Sequence, residues 1–276
     1  AGKTSVLNCL LSETNKKLAV IVNEFGDIGI DSDLIETGAE QLIELNSGCI
    51  CCVVRGDLIR TLRTLLDSGR DIDGIVIETT GLANPSPVIQ TFQVDQVLAA
   101  QCRLDAVVTV VDALHFNSVS DEADAQDQVA LASVILLNKT NEADGIADTQ
   151  SRLRALNPIA PIHRIDRGQI APDLILDTDA FDLDAVASQL ATLTTAHAHT
   201  GDMQTLSLTC DARIDPARLH KWLTDLLAIR GADILRTKGI LDTGGPNMLA
   251  VQAVQVLLEG PEIAPWPPGK RQSRLV

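Results

Sequence analysis

The sequence predicts an α/β protein, with a mainly parallel sheet covered by helices and a small α+β unit after it. Three observations carry that expectation. Short apolar runs rich in β-branched residues recur at 18–22, 72–77, 106–111, 134–137 and 159–165. Segments with a helical apolar period lie between them. Strands apolar at nearly every residue suit a sheet buried on both faces, and their alternation with helices indicates a parallel one. A chain of 276 residues, 45% apolar and 21% charged, can bury such a core. Aromatics make up only 2% and Tyr is absent, so the core must be built from Leu, Ile, Val and Ala.

Taken in order, Gly2-Lys3-Thr4 leads into a helical pattern of Val6, Leu7, Leu10 and Leu11, and 18–22 is the first strand. Leu42-Ile43-Glu44-Leu45 and the run 50–54 read as a short strand pair with thiols near its turn. Leu58, Ile59, Leu62, Leu65 and Leu66 share one helical face, closed by Gly69. After the strand at 72–77, Pro85 begins a helix expected to continue through Leu98 and Ala99. Strands at 106–111, 134–137 and 159–165 follow. The small polar stretch 194–202 reads as a linker, which gives a nucleotide-type domain at 1–195, a linker at 196–202 and a second domain at 203–276. That domain opens with a strand at 205–209. Its helix carries Leu219, Trp222, Leu223, Leu226 and Leu227 on one face, with Asp215 as N-cap and Pro216 in the first turn. Strands at 250–258 and near the end complete it.

Composition excludes some classes. A net charge of −15 argues against sequence-independent nucleic-acid binding, which rests on Lys and Arg neutralising phosphates. No apolar run approaches the ~18–20 residues that cross a bilayer, and the start does not resemble a signal peptide. Cys9, Cys102 and Cys210 are scattered singly and read as core filler. Without an evenly spaced cysteine framework, a reducing, cytoplasmic compartment is expected.

The densest chemistry lies in Asn46-Ser47-Gly48-Cys49-Ile50-Cys51-Cys52. Three thiols within four positions suit a soft or borderline metal such as Zn²⁺, Co²⁺ or Cu⁺. The same residues contain a C-x-x-C pair, so thiol redox chemistry is the alternative.

A second constellation is a nucleotide site. Gly2-Lys3-Thr4 before a helix matches the back half of a phosphate-binding loop, in which Gly lets the backbone wrap phosphate, Lys reaches the β/γ oxygens and Thr holds Mg²⁺. Ile75-Val76-Ile77-Glu78-Thr79-Thr80-Gly81 places a carboxylate at the carboxyl edge of a strand, where nucleotide and metal sit in open α/β sheets. Ile135-Leu136-Leu137-Asn138-Lys139-Thr140-Asn141 runs into a near match to the guanine-reading N-K-x-D pattern. These elements in this order mark a P-loop NTPase. Asn141 stands where Asp is expected. A carboxylate there would accept from both guanine N1–H and the exocyclic amine, whereas Asn offers one acceptor. The expectation is a weakened GTP preference and a relative gain for xanthosine nucleotides, since an unmatched polar pair costs about 1–3 kcal/mol.

Together, AGKT, VIVNEFGD, GCICC-VVRGDL, IETTGLANPSPV, VVTVVDA and LLNKT closely resemble the CobW-type metallochaperone GTPases, relatives of the nickel-handling UreG and HypB GTPases. Members of that family are assigned to zinc transfer, cobalt delivery for corrin synthesis and nitrile-hydratase activation. The resemblance implies a P-loop GTPase that binds Zn²⁺, or Co²⁺, at Cys49, Cys51 and Cys52 and hands it to a metal-dependent client protein under nucleotide control. By position, Gly2, Lys3, Thr4 and Ser5 would hold the phosphates. Asn138, Lys139, Thr140 and Asn141 would hold the base. Thr4 would ligate Mg²⁺, with Glu24, Asp27 or Glu78 helping directly or through water. Departures are Asn141, the reduction of a His-rich interdomain tract to His197 and His199, and Val251-Gln252-Ala253-Val254-Gln255 in place of an aromatic-Gln-x-Val-His strand. His115, His163 and His220 read as structural. A non-catalytic metal-binding regulator and a C-x-x-C oxidoreductase remain the rival functions, and a homodimer is left open.

The opening Ala1-Gly2-Lys3-Thr4, without an initiator Met, and the strand-like stop at Arg274-Leu275-Val276 suggest a piece trimmed at both ends. A missing strand before the P-loop would leave two strands of the sheet with unpaired edges.

Overall fold

The computed structural model describes residues 1–22, 41–44, 53–79, 81, 84–180, 198–200, 203–230, 233–234, 236–254, 257–259, 262–266, 269 and 271–276. Its N-terminal part begins with α1 (Lys3–Glu13), β1 (Leu18–Val22), β2 (Gln41–Glu44), α2 (Val53–Asp67) and β3 (Gly74–Glu78). It continues through α3 (Ser86–Val94), α4 (Gln96–Gln101), β4 (Val108–Asp112), α5 (Phe116–Val119) and α6 (Ala123–Leu131). β5 (Val134–Asn138), α7 (Ile146–Leu156) and β6 (Ile162–Arg164) complete it.

The strands form two three-stranded parallel sheets, β2-β1-β3 and β4-β5-β6. Central strands β1 and β5 are buried at every residue. β3 is half-buried throughout and β4 nearly so, and among the described residues each pairs on one side only. α1 bridges the two sheets. Its Val6, Leu7, Leu10 and Leu11 pack with Val20 and Val22 of one sheet and Val134 and Leu136 of the other, so its N-terminus comes to the carboxyl ends of both. A second core lies under α2, where Leu58 and Leu62 meet Ile21 and Leu98.

Asn157, at the end of α7, joins the second sheet's helices. Its buried amide donates to the carbonyls of Val129 and Ala132 at 2.8 and 2.9 Å. Its oxygen accepts from the N–H groups of Ile159 and Ala160 at 3.2 and 2.9 Å.

In the C-terminal part, β7 (Ala198–Thr200) and β8 (Met203–Thr205) form an antiparallel hairpin against α7. β9 (Leu208–Cys210), α8 (Pro216–Arg230), β10 (Arg236–Leu241), β11 (Asn247–Val254), β12 (Leu257–Glu259), β13 (Glu262–Pro265) and β14 (Ser273–Leu275) follow. A six-stranded antiparallel sheet runs β12-β11-β10-β14-β9, with β13 also on β11. Asp215 caps α8, accepting from the N–H groups of Ala217 and Arg218 at 2.9 and 3.1 Å. Leu223 and Leu227 of α8 are buried, Leu223 against Leu241 and Val251 of the sheet. The two parts meet where Arg236 donates to the carbonyls of Leu131 and Ala132 at 2.9 and 2.8 Å, and where Ile159 packs on Ile240 and Met248. Among the described residues no helix is long and apolar enough to cross a membrane.

Several sequence expectations need correction. Val53 and Val54, expected in the second half of a strand pair, open α2, while 41–44 pairs in parallel with β1; residues 50–52 lie outside the described residues. The helix from Pro85 breaks at Asp95, whose carboxylate accepts from the N–H groups of Val97 and Leu98 and is held by Arg63 at 2.7 Å. A short acidic side chain that caps the next turn favours a restart over continuation. The linker expected at 194–202 contains β7, and the strand expected at 205–209 is two short ones. Trp222 is 48% exposed, because the buried stripe of α8 follows 219, 223 and 227 and leaves 222 on its flank. Cys210 is exposed, not core filler, while Cys9 and Cys102 are half-buried.

Candidate nucleotide site

The site gathers at the N-terminus of α1. Gly2 holds a left-handed conformation, φ 98° and ψ 27°, and a Cβ there would run into the side-chain amide of Asn138. Val6 N–H closes the first helical bond to the Gly2 carbonyl at 3.0 Å. The first-turn N–H groups of a helix lack intrahelical acceptors and carry the positive end of its dipole. No acidic residue occupies that turn in α1. This is the setting in which helix N-termini take phosphate.

Two strand ends close on this helix start. From the first sheet, Glu78 ends β3, and the chain turns so that a Cβ on Gly81 would lie 3.3 Å from Lys3 Nζ. Gly81 is held from behind, its carbonyl accepting from Gln128 Nε2 of α6 at 2.9 Å. Asn84 donates to the neighbouring Asp127 at 2.7 Å. Burial, then the negative charge of Asp124, push the Asp127 carboxyl above its ordinary value, against the Asn84 bond that lowers it.

From the second sheet, Asn138 ends β5 and is 2% exposed. Its Nδ2 donates to the Ala1 carbonyl at 3.0 Å and its Oδ1 accepts from Gly168 N–H at 3.3 Å. Gly168 has φ 74°, and a Cβ on it would lie 2.6 Å from Ser5 Cβ and 2.8 Å from Val6 N. Asn138 therefore ties together the phosphate loop, β5 and the loop after β6. Thr140 Oγ1 adds a bond to the Ile165 carbonyl at 3.3 Å.

Lys139 sits in left-handed backbone, φ 61°. Its ammonium reaches Asp112 Oδ2 at 2.6 Å, and His115 Nδ1 approaches the same oxygen at 3.3 Å. Leu114 N–H occupies Oδ1 at 3.0 Å. Burial works to raise the Asp112 carboxyl, but the bonds from Lys139, His115 and Leu114 hold it below its ordinary value. Asn141 is exposed in the turn that Glu142 N–H closes on the Lys139 carbonyl at 3.1 Å.

Of the residues singled out in the sequence, Gly2, Lys3, Thr4, Ser5, Glu78, Asn138, Lys139, Thr140 and Asn141 fall within the described structure. Glu24, Asp27, Cys49, Cys51 and Cys52 lie outside the described residues. The thiols immediately precede α2 in the chain. Among the described residues no group of three or more His, Cys, Asp or Glu side chains is placed to hold a metal ion. His115 is on the surface, its side chain 69% exposed, and not structural in the core sense. The sequence reading missed Asp112, Gly168, Asp127 and Gln128. Only Asp112 left a trace in sequence, a carboxylate closing an apolar strand just as Glu78 does.

Residues 1–164 match the CobW/HypB/UreG nucleotide-binding domain, and residues 203–276 match the cobalamin synthesis protein CobW C-terminal domain. Over the whole chain, the sequence is 35% identical to the zinc chaperone YjiA of Escherichia coli, covering 89% of that protein. It is 31% identical to the zinc chaperone CobW of Sinorhizobium sp over its whole length and 88% of the relative. The crystal structure of the Zn(II)-bound E. coli YjiA GTPase superposes with a TM-score of 0.79 at 30% identity, covering all of this chain and 89% of that one. A Zn(II)-bound triple variant of that GTPase, lacking one glutamate and two adjacent cysteines, superposes with a TM-score of 0.80 at 29% identity, covering 99% of this chain and 89% of that one.

Proposed function

Because the chain belongs to the CobW/HypB/UreG family of nucleotide-binding proteins, with the CobW C-terminal domain behind a P-loop GTPase fold, we propose that it is a GTP-hydrolysing zinc chaperone. It holds the ion on Cys49, Cys51 and Cys52 and passes it, under nucleotide control, to a metal-dependent client in the cytoplasm. The observation that carries the nucleotide half is the convergence of Gly81 and Asn138 on the start of α1. In this reading Lys3 and the first-turn N–H groups take the phosphates. Thr4 takes Mg²⁺ with Glu24, Asp27 or Glu78, and 138–141 take the base.

The metal half rests on donor chemistry. Thiolate is the ligand form, and a thiol near the positive end of a helix dipole loses its proton more readily. α2 begins at Val53, directly after Cys52. Three thiolates leave one tetrahedral position open for water, a nucleotide-ordered side chain or the client's ligand, which is what a site that must release its ion needs. Cobalt fits the same donors less selectively.

The start of α2 also favours a second reading. A C-x-x-C oxidoreductase uses a cysteine at a helix start, and Val53 and Val54, expected in a strand, open a helix directly after Cys52. Zinc and nucleotide measurements on the full-length chain separate the two. Chaperone function predicts one tightly held Zn²⁺ per chain, lost when all three cysteines become Ser, together with GTP hydrolysis that responds to zinc. The YjiA variant lacking two cysteines still carried Zn(II) in its crystal, so affinity is read at zinc concentrations below the protein's. Equal zinc affinity with and without the three thiols would sink the proposed metal site. Thiol–disulfide exchange without GTP hydrolysis would favour the oxidoreductase.

A further inference from the structure

Resting on the base-site reading above, we infer that Asp112 is a positioning residue for the nucleotide base, fixing Lys139 so that its alkyl stem lies against the purine. A lysine whose ammonium is tied off presents four methylenes as an apolar strip, and the tie determines where that strip lies. Here the tie is the 2.6 Å bond to Asp112 Oδ2, with the Asp112 side chain only 14% exposed and Lys139 32% exposed. A charge-assisted bond of this length, sheltered from water, is stronger than a neutral one.

Asp112 is itself rigidly held. It pairs with Asn138 in the parallel register of β4 and β5. Ala113 N–H bonds the Asn138 carbonyl at 3.0 Å, and Leu114 N–H fills the other carboxylate oxygen. His115 Nδ1 shares Oδ2 from the solvent side.

The backbone of Lys139 supplies an independent observation. A non-glycine residue at φ 61° is in a region that neighbours have to enforce, and such residues gather at ligand sites. The enforcing contacts are the Glu142 turn on one side and the Asp112 bond on the other. Lys139 is thus held in a costly conformation by a carboxylate from a different strand.

The test measures binding of GTP and of inorganic tripolyphosphate to the full-length chain and to Asp112→Asn, Asp112→Glu, Lys139→Met and Asp112→Asn/Lys139→Met variants. Asp112→Asn is expected to weaken GTP about tenfold, the loss of one charged hydrogen bond, while tripolyphosphate stays within about twofold because the phosphate loop is intact. Asp112→Glu recovers part of the loss, and the double variant is no worse than Lys139→Met alone. Parallel losses of GTP and tripolyphosphate, or unchanged GTP binding in Asp112→Asn, would overturn the inference. If Asp112→Asn does not fold, Lys139→Met decides by the same ratio: selective loss of GTP supports the inference and equal loss overturns it. A parent chain that binds tripolyphosphate but no purine nucleotide overturns this inference and the base-site reading together.

Discussion

Gly168→Ala is the substitution on which the geometry speaks most quantitatively. Two costs add at this position. The residue holds φ 74°, and an L side chain in the left-handed region costs about 1–2 kcal/mol. The new Cβ would also lie 2.6 Å from Ser5 Cβ, 2.7 Å from Ser5 C and 2.8 Å from Val6 N. Two of those atoms are backbone of α1, which cannot rotate away, and overpacking of this kind costs about 1–3 kcal/mol. Reduced freedom of the unfolded chain returns about 0.4–1 kcal/mol, leaving a net loss of about 1–4.6 kcal/mol. Gly69→Ala is the control, because Gly69 has nearly the same φ, 66°, with nothing within 4 Å of a Cβ. It carries only the backbone cost, which the same unfolded-state gain reduces to about 0–1.6 kcal/mol. Equilibrium urea unfolding measures both, read from midpoints at unchanged slope. The relief of the clash would also carry residues 165–168 away from Ser5, loosening the Gly168–Asn138 bond and weakening phosphate binding. Equal destabilisation by the two substitutions would refute the tight approach of this loop to α1.

Three further outcomes follow from other parts of the molecule. Asn141→Asp restores the second acceptor for guanine and is expected to tighten GTP about tenfold to a hundredfold while weakening XTP, measured by competition titration. Asn157→Ala removes a buried amide that serves five backbone groups; a loss of about 3 kcal/mol is expected in the same urea assay. Lys238→Met is expected to stabilise the chain. Burial, then the nearby Arg236, push the Lys238 ammonium well below its ordinary value, so the folded state binds its proton less readily than the unfolded one. Folding then loses most below the folded pKa and recovers as pH rises toward about 10.5. The advantage of Met over Lys should therefore shrink between neutral pH and pH 10, as followed by unfolding midpoints.

Much of the fold was legible because fully apolar runs have few other places to go. β1 matches its run at both ends, β5 extends its run by one residue, and the face of Leu58, Leu62 and Leu65 is buried as its period requires. The failures share a cause, local signals that tertiary context overrides. Val53 and Val54 have strand propensity but open α2, and Asp95 looked like one more polar residue until its carboxylate proved to cap α4. The polar stretch containing His197 and His199 gave no strand alternation, yet His199 pairs with Gln204 in the β7–β8 hairpin. At the site, the expectation for Gly2 and Lys3 rests on the fixed residue types and spacing of a phosphate-loop pattern, and that for Asn138 on the N-K-x-D pattern. Asp112 and Gly168 act through distance to other elements, which no spacing in sequence encodes. Cys49, Cys51 and Cys52 rest on their residue types and on their place just before α2.

Zinc affinity as a function of nucleotide state tests the central claim most directly. If Mg²⁺ and GTP order the segment 23–31 against the thiols, hydrolysis loosens it and the ion is released. Competition against a chelator of known affinity, run on the full-length chain without nucleotide, with GDP and with a non-hydrolysable GTP analogue plus Mg²⁺, reads this coupling. Zn²⁺ is expected to be held about tenfold or more tightly in the triphosphate state, within the usual range of site-to-site coupling. Identical zinc affinity in all three states would contradict it.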